Sequence, residues 1–340
     1  MAHLRDASKL KPTYSEAQLD LEPVTDLYGR ELLVHCYRIL GSVEDAEDAL
    51  QEAFLRAWRH SDSLRSQAAL RAWLYRIATN VALNMLASRR VRSMPTATTQ
   101  PANPQDALQA PVLDPVWLDP LPDEYLASDS ASPEARYETK ESVSLAFLTA
   151  LQLLTGRQRA VLIMRDVLGW TTTEIGNLLD QSVPAVNSVL QRARAKMKKY
   201  YDNGARRWVR PHDEQVANLL ASYMQAWEAS DSAGLVSLLR EDAILTMPPL
   251  PGWFRGREAI REFLDRHLFS GTRSAKQFRA RPARANGCPA VASYQLDGAG
   301  SYRPGAIIVL TVQDEQIAQI DDFLALDDRL FLRFKLPLSL

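Results

Sequence analysis

The sequence predicts a multidomain protein in which two all-α domains, the second with a helix-turn-helix, precede an α+β domain folded as a cone. Apolar residues recur at helical spacing over residues 24–90 and again over 138–201. A proline-rich segment separates these regions, and helices followed by strand-like runs fill the rest. The chain has 340 residues, enough for two or three domains.

Composition excludes several classes of protein. A hydrophobic fraction of 46% is typical of globular domains and excludes a wholly disordered chain. The 40 Lys and Arg against 41 Asp and Glu leave a net charge of -1, far below that of a free-standing nucleic-acid binder. The two cysteines are far apart and form no metal motif, so we expect no metal and no cofactor. Without an apolar signal core or membrane span, we expect a cytoplasmic protein with no membrane partner.

Changes in pattern along the chain give the expected domain boundaries. We expect a loose lead over residues 1–22, all-α domains over 23–94 and 136–202, an α+β domain over 211–330 and a tail over 331–340. One helix over 45–58 has Ala46, Ala49, Phe54 and Trp58 among its inward positions, and a second helix covers 70–90. In the α+β part we expect helices at 214–229, from 231 and at 257–268, one strand around 243–247, and strand-like runs after the last helix up to 323.

A linker is expected over residues 95–135. Its first 40 residues hold eight of the 19 prolines and seven acidic residues, with no Lys, Arg or Gly. Such a composition disfavours helix and sheet and resists collapse. A flexible chain of that length spans about 35 Å on average and about 130 Å when fully extended.

Residues 171–199 predict a helix-turn-helix. A first helix carries Gly176 at a close approach and breaks at Asp180, after which Ser182 can cap a second helix with Pro184 in its first turn. Small and amide side chains at the start of that second helix, with Arg and Lys after them, suit the major groove of DNA. A packed hairpin with a solvated basic face is the alternative. The DNA-facing candidates are Ser182, Ala185, Asn187, Ser188, Gln191, Arg192, Arg194, Lys196 and Lys198.

These segments resemble the sigma-70 family. Residues 45–58 (DAEDALQEAFLRAW) look like the region 2 helix that docks on the clamp of RNA polymerase, and 70–90 like the segment that reads and opens the minus-10 element. Residues 151–199 look like region 4, which reads the minus-35 element. One departure is Thr155 and Gly156 at a helix start, where the family more often has proline. Without regions 1.1 and 3, the layout is that of extracytoplasmic-function sigma factors.

The third unit resembles the SnoaL-like, NTF2-fold extension of an actinobacterial subgroup, the SigG and SigJ type. The runs MPPLPGWFRGREAI, WLDPLPDEYL and FLRFKLPLSL carry this likeness. The resemblance implies that core RNA polymerase, through its clamp and flap, and promoter DNA are the partners. It places polymerase contacts at Asp45, Asp48, Gln51 and Glu52, and minus-10 contacts at Arg76, Asn80, Asn84, Arg89 and Arg90.

Several of these assignments have alternatives. The acidic side chains on the docking helix fit a solvated face equally well. A pocket for an unpaired base needs aromatic neighbours, for which Trp73 and Tyr75 are available. Trp73 lies on the apolar stripe, so we expect it in the core.

The α+β domain offers a pocket for a small apolar ligand at the mouth of its cone. The candidate lining is Tyr223, Trp227, Met247, Trp253, Phe254 and Phe263, with plain core as the alternative. Strand alternation places Asp322 on the inner face, where we expect a salt-bridged rim acid more than a pocket acid.

The stretch YMQAWEASD resembles steroid-isomerising enzymes of this fold. The resemblance places Tyr223 where those enzymes have the tyrosine that stabilises the oxyanion. Met247 stands where those enzymes have a catalytic base, so we expect no enzyme activity and no catalytic residue.

The function expected is a sigma factor whose C-terminal domain regulates it. A stand-alone helix-turn-helix regulator with a ligand-sensing domain and an enzyme fused to a DNA-binding module are the alternatives. The linker cannot by itself hold two domains about 80 Å apart on a promoter, so polymerase must hold both. Asp114, Asp119, Asp123 and Glu124 suggest that the linker threads the polymerase channel for nascent RNA; a solvated tether is the alternative.

Overall fold

The computed structural model describes residues 21–64, 66–88, 92–113, 117–126, 140–202, 213–269 and 277–340. The chain divides into two compact units. One comprises residues 1–90 and 151–200, and the other comprises residues 91–150 and 201–340. The first all-α domain and most of the second therefore share one unit, whereas the segment between them and residues 136–150 of the second belong to the unit of the C-terminal domain.

Three long helices build the first part of the helical unit: α1 (Leu21–Leu40), α2 (Val43–Arg59) and α3 (Leu70–Ser88). The α2 helix begins where the Ser42 hydroxyl accepts a hydrogen bond from the Asp45 amide at 3.3 Å. Its small inward residues, such as Ala46 and Ala49, are fully buried and let the helices approach closely. Trp58, expected inside, is 42% exposed because it lies beyond the buried stripe.

The chain then forms α4 (Pro95–Thr98), α5 (Leu145–Gln152) and α6 (Gly156–Leu162), which runs into a π-helical turn at Ile163–Val167. The helix-turn-helix follows as α7 (Thr172–Leu179) and α8 (Val183–Asp202), as predicted. Asp180 ends α7 with a positive φ of 53°, and Ser182 Oγ accepts from the Ala185 amide at 3.4 Å. A Cβ on Gly176 would lie 2.7 Å from the Gln181 carbonyl oxygen, so only glycine fits before this turn.

The start of α6 packs directly on the first helices. Thr155 caps α6 through a reciprocal pair of hydrogen bonds with Gln158, at the position where the sequence departs from the family's proline. The fully buried Arg159 donates through Nη1 to the Ile39 carbonyl, in the last turn of α1. Burial lowers the pKa of Arg159 to about 10, so its guanidinium stays charged at neutral pH. A cation at the carboxyl end of a helix is favourable.

The C-terminal domain is a curved sheet covered by helices. Its elements are α9 (Asp213–Glu228), α10 (Ser232–Ser237), β1 (Leu239–Met247), β2 (Leu250–Arg255), α11 (Arg257–Phe263), a π-helical turn (Leu264–Leu268), β3 (Phe278–Ala285), β4 (Cys288–Leu296), β5 (Tyr302–Gln313), β6 (Gln316–Leu324) and α12 (Arg329–Arg333). The strand order is β2-β1-β6-β5-β4-β3, and β1 and β6 are parallel while the other neighbours are antiparallel.

Sequence patterns predicted most of these elements but missed β2. That strand contains Pro251 and Gly252, residues that usually exclude a strand. It forms the edge of the sheet, where a proline removes no required ladder bond. The tail also packs on the sheet: Phe331 is fully buried against Tyr294, whose hydroxyl donates to the Pro337 carbonyl at 2.9 Å.

The proline-rich segment lies along this edge of the C-terminal domain. The Ala102 amide donates to the Trp253 carbonyl at 2.7 Å, and the Trp253 indole donates back to the Thr99 carbonyl at 3.0 Å. The Val112 amide donates to the Pro249 carbonyl at 2.9 Å. The expectation of a flexible tether is therefore wrong for the described part of this segment.

Asn286 forms a second anchor at the turn between β3 and β4. Its side chain accepts from the Leu121 amide at 2.9 Å and donates to the Val143 carbonyl at 2.7 Å, while its amide donates to the Leu121 carbonyl. Asp123 accepts from the Gly287 amide at 2.7 Å, although burial raises its pKa.

Three acidic residues of the described part of the segment, Asp119, Asp123 and Glu124, lie against basic or amide groups. Glu124 pairs with Lys335 at 2.8 Å, and Asp119 lies 3.9 Å from Arg92. Asp114 lies outside the described residues. A linker that threads an RNA channel would first have to leave these partners.

We expect Asn286→Gly to release the linker, because glycine keeps the positive φ of 54° but removes both side-chain hydrogen bonds. The loss leaves two backbone groups without their partner, at about 1–3 kcal/mol each. Limited proteolysis should then cut residues 100–126 faster than in the wild type. Asn103→Gly, at an exposed turn, is the control; equal cleavage of the two variants would contradict the anchor.

Candidate functional site

The α8 helix presents all of its predicted minus-35 residues to solvent. Val186, Leu190 and Ala193 lie on its buried side, as the periodicity predicts. The exposed residues are Ser182, Ala185, Asn187, Ser188, Gln191, Arg192, Arg194, Lys196 and Lys198. Their contact with DNA stays a prediction, but the structure gives them one continuous accessible surface.

The cations of this surface differ in their surroundings. Arg194 donates through Nε to Asp166 at 3.1 Å, and this hydrogen bond raises the pKa of Arg194. Lys196 lies 3.5 Å from Gln158, and Arg192 donates to the Ser188 hydroxyl one turn away at 2.9 Å. To contact a DNA phosphate, Arg194 would have to give up its hydrogen bond with the Asp166 carboxylate. Arg192 would have to give up only its hydrogen bond with the Ser188 hydroxyl.

The predicted minus-10 residues lie one turn apart on α3. Arg76, Asn80 and Asn84 are exposed, while Arg89 and Arg90 lie outside the described residues. The structure reverses the expectation for the two candidate aromatic residues, because Tyr75 and not Trp73 lies in the core. Tyr75 is buried between His35 and Trp170, with ring centroids at 4.9 and 5.2 Å, whereas Trp73 is only half-buried.

A groove of about 850 Å³ lies between α3 and the helix-turn-helix. Trp73, Arg76 and Asn80 line one side, and Trp170 and residues of α7 line the other. Arg76 Nη2 donates to Asp180 Oδ2 at 2.7 Å across it. The predicted minus-10 residues Arg76 and Asn80 therefore face α7, an arrangement that depends on tertiary packing and has no signal in the sequence.

The predicted polymerase-binding face of α2 needs one correction. Asp48 and Gln51 are exposed, and Glu52 is half-buried and pairs with Arg56 at 2.6 Å. Asp45 is only 5% exposed, because it lies in the first turn of the helix beside the Ser42 cap.

Sequence reasoning missed two apolar members of this face. Leu55 is 47% exposed and Trp58 is 42% exposed. They follow Gln51 at helical spacing, and that spacing is the signal that could have identified them. The face is therefore amphipathic instead of purely acidic.

A small cavity of about 10 Å³ lies inside the C-terminal domain. Among the candidate pocket residues, Tyr223, Trp227 and Asp322 line this cavity and four others do not. Met247 and Phe263 belong to the surrounding core, and Trp253 is covered by linker residue Thr99. Phe254 also lies in the core, stacked on Phe263 at 4.5 Å. The lining residues are Tyr223, Trp227, Leu235, Leu239, Leu245, Ile260, Leu264, Leu268, Ile320 and Asp322.

Asp322 is the polar exception in this cavity. It is 4% exposed, and its Oδ1 atom has no hydrogen-bond partner among the described residues, so the predicted salt-bridged rim acid is wrong. Burial raises the pKa of Asp322 to about 7. Asp321, on the opposite face of β6, accepts from Thr246 and Gln319, each at 2.8 Å.

Two kinds of feature are absent from the described part of the chain. No cluster of three or more His, Cys, Asp or Glu residues is placed to hold a metal ion there. None of its helices combines the length and apolar character that crossing a bilayer requires.

Comparison with known proteins decides the family. The sigma-70 region 2 model matches residues 25–92, the sigma-70 region 4 model matches 144–197, and the SnoaL-like domain model matches 220–320. The ECF RNA polymerase sigma factor SigG of Mycobacterium tuberculosis is 40% identical over 325 residues, covering 96% of this chain and 86% of that protein. The chain belongs to the ECF sigma factor family.

Other ECF sigma factors agree with this architecture. SigJ of Mycobacterium tuberculosis is 26% identical over 305 residues, covering 86% of this chain and 88% of that protein. The crystal structure of that SigJ aligns with a TM-score of 0.60 at 22% identity, covering 92% of this chain and all of that chain, and supports the fold. Both sigma regions are thus followed by a SnoaL-like domain, and the linker anchors at Thr99, Ala102 and Leu121 fall between the matched regions.

We expect Asp322→Asn to remove a pH-dependent loss of stability from the SnoaL-like domain. The unfolded carboxyl ionises near pH 4 and the folded one near pH 7, so the unfolded state binds fewer protons between these values. The free energy of unfolding should therefore fall as pH rises through this window. The difference amounts to roughly 4 kcal/mol at most.

Denaturant unfolding at pH 4.5 and pH 8 of both proteins measures this effect. The asparagine variant should gain stability relative to the wild type as pH rises. Asp327→Asn, at an exposed acid whose pKa is lowered by its hydrogen bond with Arg329, should show no such gain. A pH-independent difference between Asp322→Asn and wild type would contradict the buried acid.

Proposed function

We propose that this chain binds core RNA polymerase and directs promoter-specific initiation of transcription. In this proposal α2 docks on the clamp, α3 reads the minus-10 element, and region 4 meets the flap and reads the minus-35 element through α8. The continuous exposed surface of α8, in a chain of the ECF sigma factor family, is the observation that carries the proposal. It favours a recognition helix because the opposite side is buried in its own domain.

The closed groove supports a role for polymerase in opening the chain. Promoter elements centred about 25 base pairs apart are separated by roughly 80 Å. Arg76 on the minus-10 surface lies 2.7 Å from Asp180 at the end of α7, so this form cannot contact both elements at once. We infer that polymerase separates the two regions and supplies most of the affinity for DNA, which agrees with a net charge of -1.

We infer further that the SnoaL-like domain regulates the sigma regions through the linker. The linker is bonded to β2 at Trp253 and to the β3–β4 turn at Asn286. These bonds shorten the length of free chain between regions 2 and 4. The domain thereby controls how far the two regions can separate.

Arg192→Ala should lower promoter-dependent transcription roughly tenfold, the loss expected for one contact with a base or phosphate. Run-off transcription with purified core polymerase and the full-length protein measures this effect. Arg303→Ala, at an exposed arginine of the SnoaL-like domain, is the matched control and should leave transcription unchanged.

The same assay separates the competing functions. A stand-alone regulator would bind its DNA site tightly without polymerase and would give no run-off product. A fused enzyme would not require promoter DNA for its activity. Wild-type protein that gives no transcription with core polymerase, together with tight binding to DNA alone, would contradict the sigma factor proposal.

Energy transfer between two dyes can test the opening of the groove. Cys36 and Cys288 are buried, so dyes can be placed on exposed Ser66→Cys and Lys199→Cys. We expect high transfer efficiency in the free protein and low efficiency in the complex with polymerase and promoter. A control pair at Ser66→Cys and Asp26→Cys, both in region 2, should not change. Low efficiency in the free protein would contradict the closed form.

A further inference from the structure

A polar seam joins α1 to α3 within region 2. On α1 it consists of Glu31 and His35, one turn apart, and on α3 it consists of Arg71, Tyr75 and Thr79, each one turn from the next. Arg71 donates through Nε and Nη2 to the two carboxylate oxygens of Glu31 at 3.2 and 3.1 Å. His35 Nε2 and Thr79 Oγ1 share a hydrogen bond of 2.8 Å. One polar pair therefore lies at each end of the seam.

Tyr75 fills the centre of the seam between these two pairs. The His35 ring contacts it edge-on, with 4.9 Å between the ring centroids, and the Arg71 guanidinium lies 5.2 Å from the centroid of the Tyr75 ring. The Arg71–Glu31 pair is partly exposed, and such ion pairs hold two helices together only weakly. The buried hydrogen bond between His35 and Thr79 therefore supplies most of the directional constraint between α1 and α3.

Stability does not explain the pairing of His35 with Thr79. Both residues are fully buried, and His35 Nδ1 has no hydrogen-bond partner among the described residues. Burial and the nearby Arg38 lower the pKa of His35 to about 3, so the imidazole is neutral at physiological pH. A buried ring with one unpaired nitrogen opposes stability, and apolar residues at the two positions would avoid that cost. The pair therefore indicates a requirement other than stability.

The α3 residues of the seam directly precede the proposed minus-10 residues. Arg76 follows Tyr75 and Asn80 follows Thr79, and both Arg76 and Asn80 are exposed and line the groove. Successive residues lie about 100° apart around a helix axis, so a rotation of α3 by about 10° moves a side-chain tip about 6 Å from the axis by about 1 Å. Such a shift exceeds the roughly 0.5 Å range of N–H···O hydrogen-bond distances. Base recognition by Asn80 therefore requires a fixed rotation of α3.

We propose that His35 is a positioning residue for recognition of the minus-10 element. Through its hydrogen bond with Thr79 it fixes the rotation of α3 and thereby aims Asn80 at an unpaired base. Apolar packing alone would hold α3 on α1 but would define its rotation less precisely, because a hydrogen bond is directional and hydrophobic contact is not. The inference rests on the proposed function and adds to it a fully buried residue that acts without touching DNA.

Selection of minus-10 sequences by full-length protein with core polymerase can test this role. The starting template is a promoter from which the wild type gives run-off transcripts. One library randomises its minus-10 element and a second randomises its minus-35 element. A barcode in the transcribed part of each template lets sequencing of the transcripts give the base preference at every position. Asn80→Ala identifies the minus-10 position that Asn80 reads.

The double variant His35→Leu, Thr79→Val separates positioning from stability. It removes both polar partners together, so its melting temperature should stay at or above that of the wild type. Its base preference at the position read by Asn80 should nevertheless fall about threefold to tenfold, within the range that one base contact contributes. Its preference at the minus-35 element should not change.

Two single variants repeat the test with a smaller change. Thr79→Ser keeps the hydroxyl group and should keep the wild-type minus-10 preference, whereas Thr79→Val lacks the hydroxyl and should lose it. Thr149→Val is the matched control. It also removes a buried threonine hydroxyl, one that donates to the Leu145 carbonyl on α5 at 2.7 Å, and it should leave the minus-10 preference unchanged.

Two results would overturn the role of His35 alone. One is wild-type minus-10 preference in both the double variant and Thr79→Val. The other is an equal loss of preference at the minus-10 and minus-35 elements, which would show a general defect of the protein. A wild-type protein that gives no transcript from any template would instead overturn the sigma factor proposal, and this inference with it, so the two failures are distinguishable.

Discussion

The buried Arg159 guanidinium joins the two sigma regions of the free chain. It donates to the Ile39 carbonyl at the end of α1, a position where a cation also stabilises the helix. A Cβ added to Gly156, three residues earlier, would lie 3.1 Å from the side chains of Leu83 and Leu86, so α6 lies tightly on α3. This contact holds α7 opposite α3, and the groove over the predicted minus-10 residues lies between the two helices. In the proposed function, a complex that spans a promoter therefore breaks or rearranges this buried contact, and binding to polymerase compensates for the loss.

The linker shows why composition alone gave the wrong expectation. Over most of the linker residues that the structure describes, its prolines and acidic residues do exclude helix and sheet, as predicted. Its docking depends on backbone groups, such as the Ala102 and Val112 amides, which leave no pattern in the side chains. The three runs that carried the resemblance to one subgroup lie within this contact network. WLDPLPDEYL bonds to Asn286, MPPLPGWFRGREAI bonds to residues 102 and 112, and FLRFKLPLSL pairs with Glu124.

Local patterns predicted the helix-turn-helix down to its turn, because cap, break and buried stripe are all encoded within a few residues. The same periodicity predicted which side of α8 is buried and which side is exposed to solvent. The burial of Tyr75 in place of Trp73 could not be predicted in this way. Both lie near the edge of the apolar stripe of α3, and the choice between them depends on packing against His35 and Trp170, which are remote in sequence.

Asp322 shows the limit of pattern reasoning most sharply. Alternation along β6 placed it on the inner face, and the general cost of burying charge then favoured a partner at the rim. The structure meets that cost in another way, because burial raises the pKa of Asp322 to about 7 and the acid can remain neutral. A neutral carboxyl group donates a hydrogen bond, which a carboxylate cannot do. The same burial that makes Asp322 unfavourable for stability therefore leaves it able to donate a hydrogen bond inside the core, where a carboxylate could only accept one.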